Sequence, residues 1–200
     1  MNQLISELKK TEHGFKHIIE AGDKLLLDKS IDHLDMATEL LTDGSYQARM
    51  LATYLLGHLS AKNTAALQLL RTHVSIDNSW RVQEMLAKAF DQYCKTKGYE
   101  NSLPVINEWL KNNNPNLISA VIEGLRIWTS RSYFDENPEV AIQLIGKHKS
   151  NDSEYVRKSV GNALRDISKK KGDLVKQETG TWDLTDPRVA FTYKLVNKNL

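Results

Sequence analysis

Three carboxylates stand beside cations at helical spacing in this sequence: Glu84 in "NSWRVQEML", Glu123 in "VIEGLRIW" and Asp166 in "NALRDIS". Cations and one carboxamide stand close to them. Arg126 lies three residues after Glu123, Arg165 precedes Asp166, and Arg157, Lys158 and Asn162 lie upstream on the same predicted helix. A carboxylate kept ionised by such neighbours can stabilise a developing positive charge or orient a water molecule. The cations themselves attract phosphates without reading bases. Trp80, Trp128, Trp182, Tyr133 and Tyr155 offer flat faces to a base or to a cationic ligand. This nest reads as a nucleic-acid surface more than as a metabolite pocket. Each feature also has a bland reading. Glu123–Arg126 is equally a surface ion pair of little energetic worth, Trp80 and Trp128 are equally core fillers, and the basic helix face is equally solvated surface.

Other chemistries find less support. His13 and His17 are four residues apart, but no third metal ligand accompanies them and "EHGFKH" is not a His-Glu-x-x-His motif, so no metal is expected. No glycine-rich phosphate loop and no nucleophile elbow occur, and no cofactor is expected. Cys94 is the only cysteine, which rules out a disulfide within the chain and fits a reducing cytoplasm.

Helices must position the chemical residues. No sustained alternating pattern marks a strand, and all four prolines, Pro104, Pro115, Pro138 and Pro187, fall near predicted helix starts. The apolar pattern repeats. Second helices begin their apolar stripe at Ala48, Val82, Leu117, Val156 and Val189, at spacings of 34, 35, 39 and 33 residues. Four and eight residues later stand Ala52 and Leu56, Leu86 and Phe90, Val121 and Leu125, Val160 and Leu164. A two-helix repeat of this length predicts an all-α fold, an α-α superhelix of HEAT-like or ARM type, with about five helix pairs. Residues 1–200 are expected to form one repeat domain, with capping helices over 1–28 and repeats over 29–200. Asn116 with Pro115, and Ser153 with Asp152, are the expected start signals of the helices carrying Glu123 and Asp166. In this register Glu84 (+2), Glu123 (+6) and Asp166 (+10) share one face beside the apolar stripe, with Lys88 and Asn162 at +6 and Arg126 and Arg165 at +9. Three acids on neighbouring helices then converge on one wall of a basic concave groove.

"EGLR", then "EYVRKSVGNALRDISKKKGDLV", then "TWD" resemble the HEAT-like-repeat DNA glycosylases of the AlkC and AlkD superfamily, nearer the AlkC branch. The resemblance runs over roughly residues 30–185, and Glu123 with Arg126, Asn162 and Asp166 carry it beyond the general HEAT skeleton. It implies excision of positively charged N3- or N7-alkylated purines from damaged double-stranded DNA. It further implies that Glu84, Glu123 and Asp166 match the acidic groove positions, that Trp80 is similar to an aromatic contact, and that Arg126, Arg157 and Lys158 look like backbone-contacting cations. The stretch "IWTSRSYF" departs from the branch pattern by lacking proline, which brings Trp128 closer to Arg126.

Composition agrees with a soluble globular chain: 40% hydrophobic and 26% charged residues, and no run of 18 apolar residues to span a membrane. The start "MNQLISELKK" lacks the apolar core of a secretory signal. Residues 1–100 hold 12 Lys+Arg against 13 Asp+Glu, whereas residues 101–200 hold 15 against 12. The excess of cations in the second half permits a nucleic-acid partner. A cytoplasmic, nucleoid-associated monomer with no membrane partner is expected. The alternative is a non-catalytic HEAT-repeat module that binds DNA structures or a protein.

Overall fold

The computed structural model describes residues 2–198, and among them all regular structure is helical. The chain forms α1 (Asn2–Lys9), α2 (Lys16–Leu27), α3 (His33–Leu40), α4 (Tyr46–Leu59), α5 (Thr64–Thr72) and α6 (Trp80–Lys97). It continues with α7 (Leu103–Leu110), α8 (Pro115–Trp128), α9 (Ser132–Glu136), α10 (Pro138–Gly146), α11 (Glu154–Thr179) and α12 (Pro187–Val196). This is the all-α helical repeat that the periodicity predicts. Contacts divide it into two compact units, Met1–Gly98 and Tyr99–Leu200. No helix among the described residues is long and apolar enough to cross a membrane.

The apolar register is real. Ala48, Ala52 and Leu56 of α4, Val82, Leu86 and Phe90 of α6, Leu117, Val121 and Leu125 of α8, and Val156, Val160 and Leu164 of α11 are all buried. Every proline takes the first turn of its helix, where no N–H is missed. Side-chain caps set the starts: Asp32 for α3, Ser45 for α4, Asn63 for α5, Ser153 for α11 and Asp186 for α12. One start signal moves. Asn114, not Asn116, caps α8, because its carboxamide accepts the Asn116 N–H while Pro115 occupies the first helical position.

In the first unit α4 is central and packs against α1, α2, α3, α5 and α6. The α4–α6 approach needs Gly57, since a Cβ there would stand 2.7 Å from the Ala89 Cα. In the second unit α11 is central and packs against α8, α10 and α12. Gly161 admits α12, because its Cβ would fall 2.4 Å from the Leu195 Cβ.

Two departures from an even repeat shape this unit. The helix α11 joins the last helix of one repeat to the first helix of the next, with non-helical dihedrals at Lys171 (φ −127°, ψ 43°) just before Gly172, a poor helix former. The 39-residue spacing accommodates the extra helix α9, whose Phe134 is fully buried.

Candidate functional site

The sequence places Glu123 and Arg126 one turn apart on α8, and Asp166 on α11, which packs against it. The structure joins them through one guanidinium. Arg126 Nη2 lies 3.0 Å from Glu123 Oε2, and Arg126 Nη1 donates to Asp166 Oδ2 at 3.1 Å. Lys169, one turn beyond Asp166, donates to Asp166 Oδ1 at 2.9 Å. The result is an alternating chain of acid, cation, acid, cation. Asp166 retains 34% side-chain exposure and Arg126 32%, so the group faces solvent from a packed helix seam.

The electrostatics follow from this order. The Lys169 hydrogen bond, reinforced by the charges of Lys169, Arg126 and Arg165, holds the Asp166 carboxyl below the usual Asp range against a smaller opposing effect of burial. Asp166 is therefore a fixed negative charge at neutral pH, suited to stabilising a cation and unsuited to donating a proton. Arg165 Nη2 is steadied by the Asn162 carboxamide oxygen at 2.9 Å. Beside Asp166 a cleft of about 300 Å³ is lined by Arg126, Ile127, Thr129, Ser130, Ile167 and the lysines 169–171. Lys169 is one of the cations of the basic helix face, and its three-residue spacing from Asp166 is the same signal that links Glu123 to Arg126.

Other expected contacts are engaged elsewhere. Arg157 Nη1 donates to the carbonyls of Asn151 at 2.6 Å and Asp152 at 3.0 Å, and its guanidinium lies over the Phe191 ring at 5.3 Å. It clamps the turn before α11 and packs on α12. Lys158 is exposed and pairs with Glu154 at 2.7 Å. Trp128 corrects an expectation outright: it is fully buried, with its ring 5.3 Å from Tyr99 and stacked at 5.8 Å on Phe134. Phe134 arrives on α9, so the helix inserted by the long repeat converts Trp128 into core. Trp182 is also buried, under Lys149 at 5.7 Å, and its indole N–H donates to Glu178.

The first unit offers a different surface. Trp80 opens α6 and is 61% exposed. Arg81 places its guanidinium 4.6 Å from the Trp80 ring centre and 4.8 Å from that of Tyr46, with Nη2 3.2 Å from His13 Nδ1. Glu84, one turn after Trp80, is exposed on the same helix, and Lys88 sits over the Phe15 ring at 5.1 Å. His17, four residues from His13, is half-buried, and burial pushes its pKa down.

The family described as DNA alkylation repair enzyme matches residues 19–177. Among solved structures, AlkD2 from Streptococcus mutans is 48% identical with a TM-score of 0.91, and the match covers 100% of this chain and 98% of that one. The protein smu.31 from Streptococcus mutans UA159 is 46% identical with a TM-score of 0.89, at the same coverage. No curated protein matches this chain. The superfamily resemblance thus holds, and the similar structure named by type is AlkD2; the nearer placement to the AlkC branch gains no support.

Proposed function

We propose that this chain, which belongs to the DNA alkylation repair enzyme family, is a DNA N-glycosylase that releases positively charged N3- or N7-alkylated purines from duplex DNA. The observation that carries this reading is the Asp166 carboxylate, held ionised between Lys169 and Arg126 in a partly exposed seam. An alkylated purine already bears positive charge and departs without a general acid. The demanding species is the oxocarbenium-like sugar left behind, and a fixed carboxylate stabilises that charge and orients the attacking water. Arg126 orients the Asp166 carboxylate and, through the same guanidinium, Glu123. On the first unit Trp80 presents an exposed aromatic face to DNA, with Glu84 one turn along. Arg165, Asn162, Lys158 and Arg157 complete the DNA-facing set on α11; the buried Trp128 does not belong to it. The protein works as a cytoplasmic, nucleoid-associated monomer and needs no metal or cofactor in this scheme.

A non-catalytic DNA-binding module is the second reading. It is favoured by one observation: each Asp166 oxygen already takes part in an ion pair. A carboxylate has about four acceptor positions, so sites for water remain. The deciding experiment incubates the protein with duplexes holding N3-methyladenine or N7-methylguanine and measures the free base by chromatography. Base release supports the glycosylase. Salt-dependent duplex binding without release from pH 5 to 9 would transfer the chain to the second reading.

A further inference from the structure

We propose that the cleft at the C-terminal end of α8 seats one backbone phosphodiester of the DNA, with Lys170 as its principal cation. The proposal rests on the reading that this chain acts on DNA, and it adds where one phosphate lies relative to Asp166.

Four cations line the cleft, and three are committed. Arg126 is shared between Glu123 and Asp166, Lys169 pairs with Asp166, and Lys171 Nζ lies 3.3 Å from Asp135 Oδ1. Lys170 is exposed, and among the described residues no carboxylate lies within ion-pair distance of it. Its neighbours neutralise the cleft's only carboxylate, Asp166, so Lys170 supplies charge that nothing in the cleft answers.

The backbone explains how the lysines gather. Consecutive residues of a regular helix point about 100° apart, so three lysines in a row would spread around it. The helix breaks at Lys171, and Lys169, Lys170 and Lys171 all line the one cleft. The end of α8 contributes Thr129 and Ser130, whose hydroxyls donate to the carbonyls of Arg126 and Ile127 and so keep only acceptor capacity. Side-chain donors to an anion are left to the lysines and to the remaining N–H groups of Arg126. A cleft of about 300 Å³ is ample for a solvated diester group.

Spacing gives the site its meaning. Asp166 and Lys170 are four residues apart on α11 and share a helix face, with Cβ atoms about 5–6 Å apart. A phosphate held by Lys170 brings an adjoining deoxyribose beside the Asp166 carboxylate. The pair acts as a ruler that sets which sugar faces the negative charge.

The test uses the full chain and a series of duplexes, each carrying one uncharged methylphosphonate at a different position, with affinity measured by fluorescence anisotropy. Lys170→Ala should lower the salt slope by about one, so that between 50 and 200 mM salt the parent loses about 3.5-fold more affinity than the variant. One methylphosphonate position should weaken the parent and leave Lys170→Ala indifferent, and Lys170→Arg should restore sensitivity there. Lys170 is exposed, so an unchanged melting curve is expected. If every position weakens parent and variant alike, or the salt slope does not change, the phosphate seat is overturned while base release by the parent still stands or falls separately. Failure of the parent to bind DNA would overturn both readings.

Discussion

Trp80 and Trp128 each stand at an end of a repeat's second helix, yet one lies 61% exposed and the other is entirely enclosed. The difference extends to the regions around them. In the first unit an aromatic surface is decorated by a cation, with Arg81 lying over both Trp80 and Tyr46. In the second unit Trp128, Tyr99 and Phe134 form a buried ring cluster, Tyr155 stays exposed on α11, and the α8–α11 seam carries the charges of Glu123, Arg126, Asp166 and Lys169. The exposed tryptophan with its cation and the ion-pair chain thus stand in different units. An exposed aromatic recognises a base by its face, whereas an ion-pair chain on a packed seam fixes a charge in place.

Four experiments sharpen or break that contrast, beginning with the largest effect. Trp128→Ala should cost about 3–5 kcal/mol of stability, the range for emptying a large buried aromatic site. Denaturant unfolding measures this, and a loss below about 1 kcal/mol would mean that Trp128 is not core.

Asp166→Asn keeps shape and removes charge. Base release should fall roughly 10²–10³-fold, the scale for losing one preorganised electrostatic contact. DNA affinity should hold or rise, because a repulsion with phosphate disappears. A large drop in melting temperature with normal release by the folded fraction would instead make Asp166 a structural ion-pair residue.

Trp80→Ala should leave the melting temperature unchanged and weaken DNA binding by about 1–3 kcal/mol, as expected for one lost stacking partner. If binding is unaffected, the first unit's aromatic surface serves some other purpose and the contrast between units fails.

The smallest effect concerns pH. Asp166 is ionised more readily in the folded chain than its usual value of 3.8 implies. Its contribution to stability is therefore complete above that value and is lost as pH falls through the lower folded-state value. Lys169→Ala removes the hydrogen bond that contributes most to this depression, so the acid limb of base release should move upward. An unmoved or downward-moving limb would show that Lys169 does not tune the carboxylate.

Periodicity alone determined much of this protein. The burial stripe at positions 0, +4 and +8 follows from 3.6 residues per turn, and a helix with an apolar stripe must bury it whatever its neighbours are. Spacing within one helix also revealed the Glu123–Arg126 pair, since residues three apart are neighbours on any helix.

Tertiary structure decided what depends on approach between helices or on an insertion. Arg126 reaches Asp166 across 40 residues of chain, a contact that register permits but only the packing of α8 on α11 creates. The carbonyls of Asn151 and Asp152 accept from Arg157 because the turn before α11 folds back within reach, a contact that its place on the helix does not disclose. Trp128 turned from candidate contact to core because α9 delivers Phe134 onto its ring. The 39-residue spacing disclosed that something was inserted, but which face it would cover depends on three-dimensional packing that no local pattern encodes.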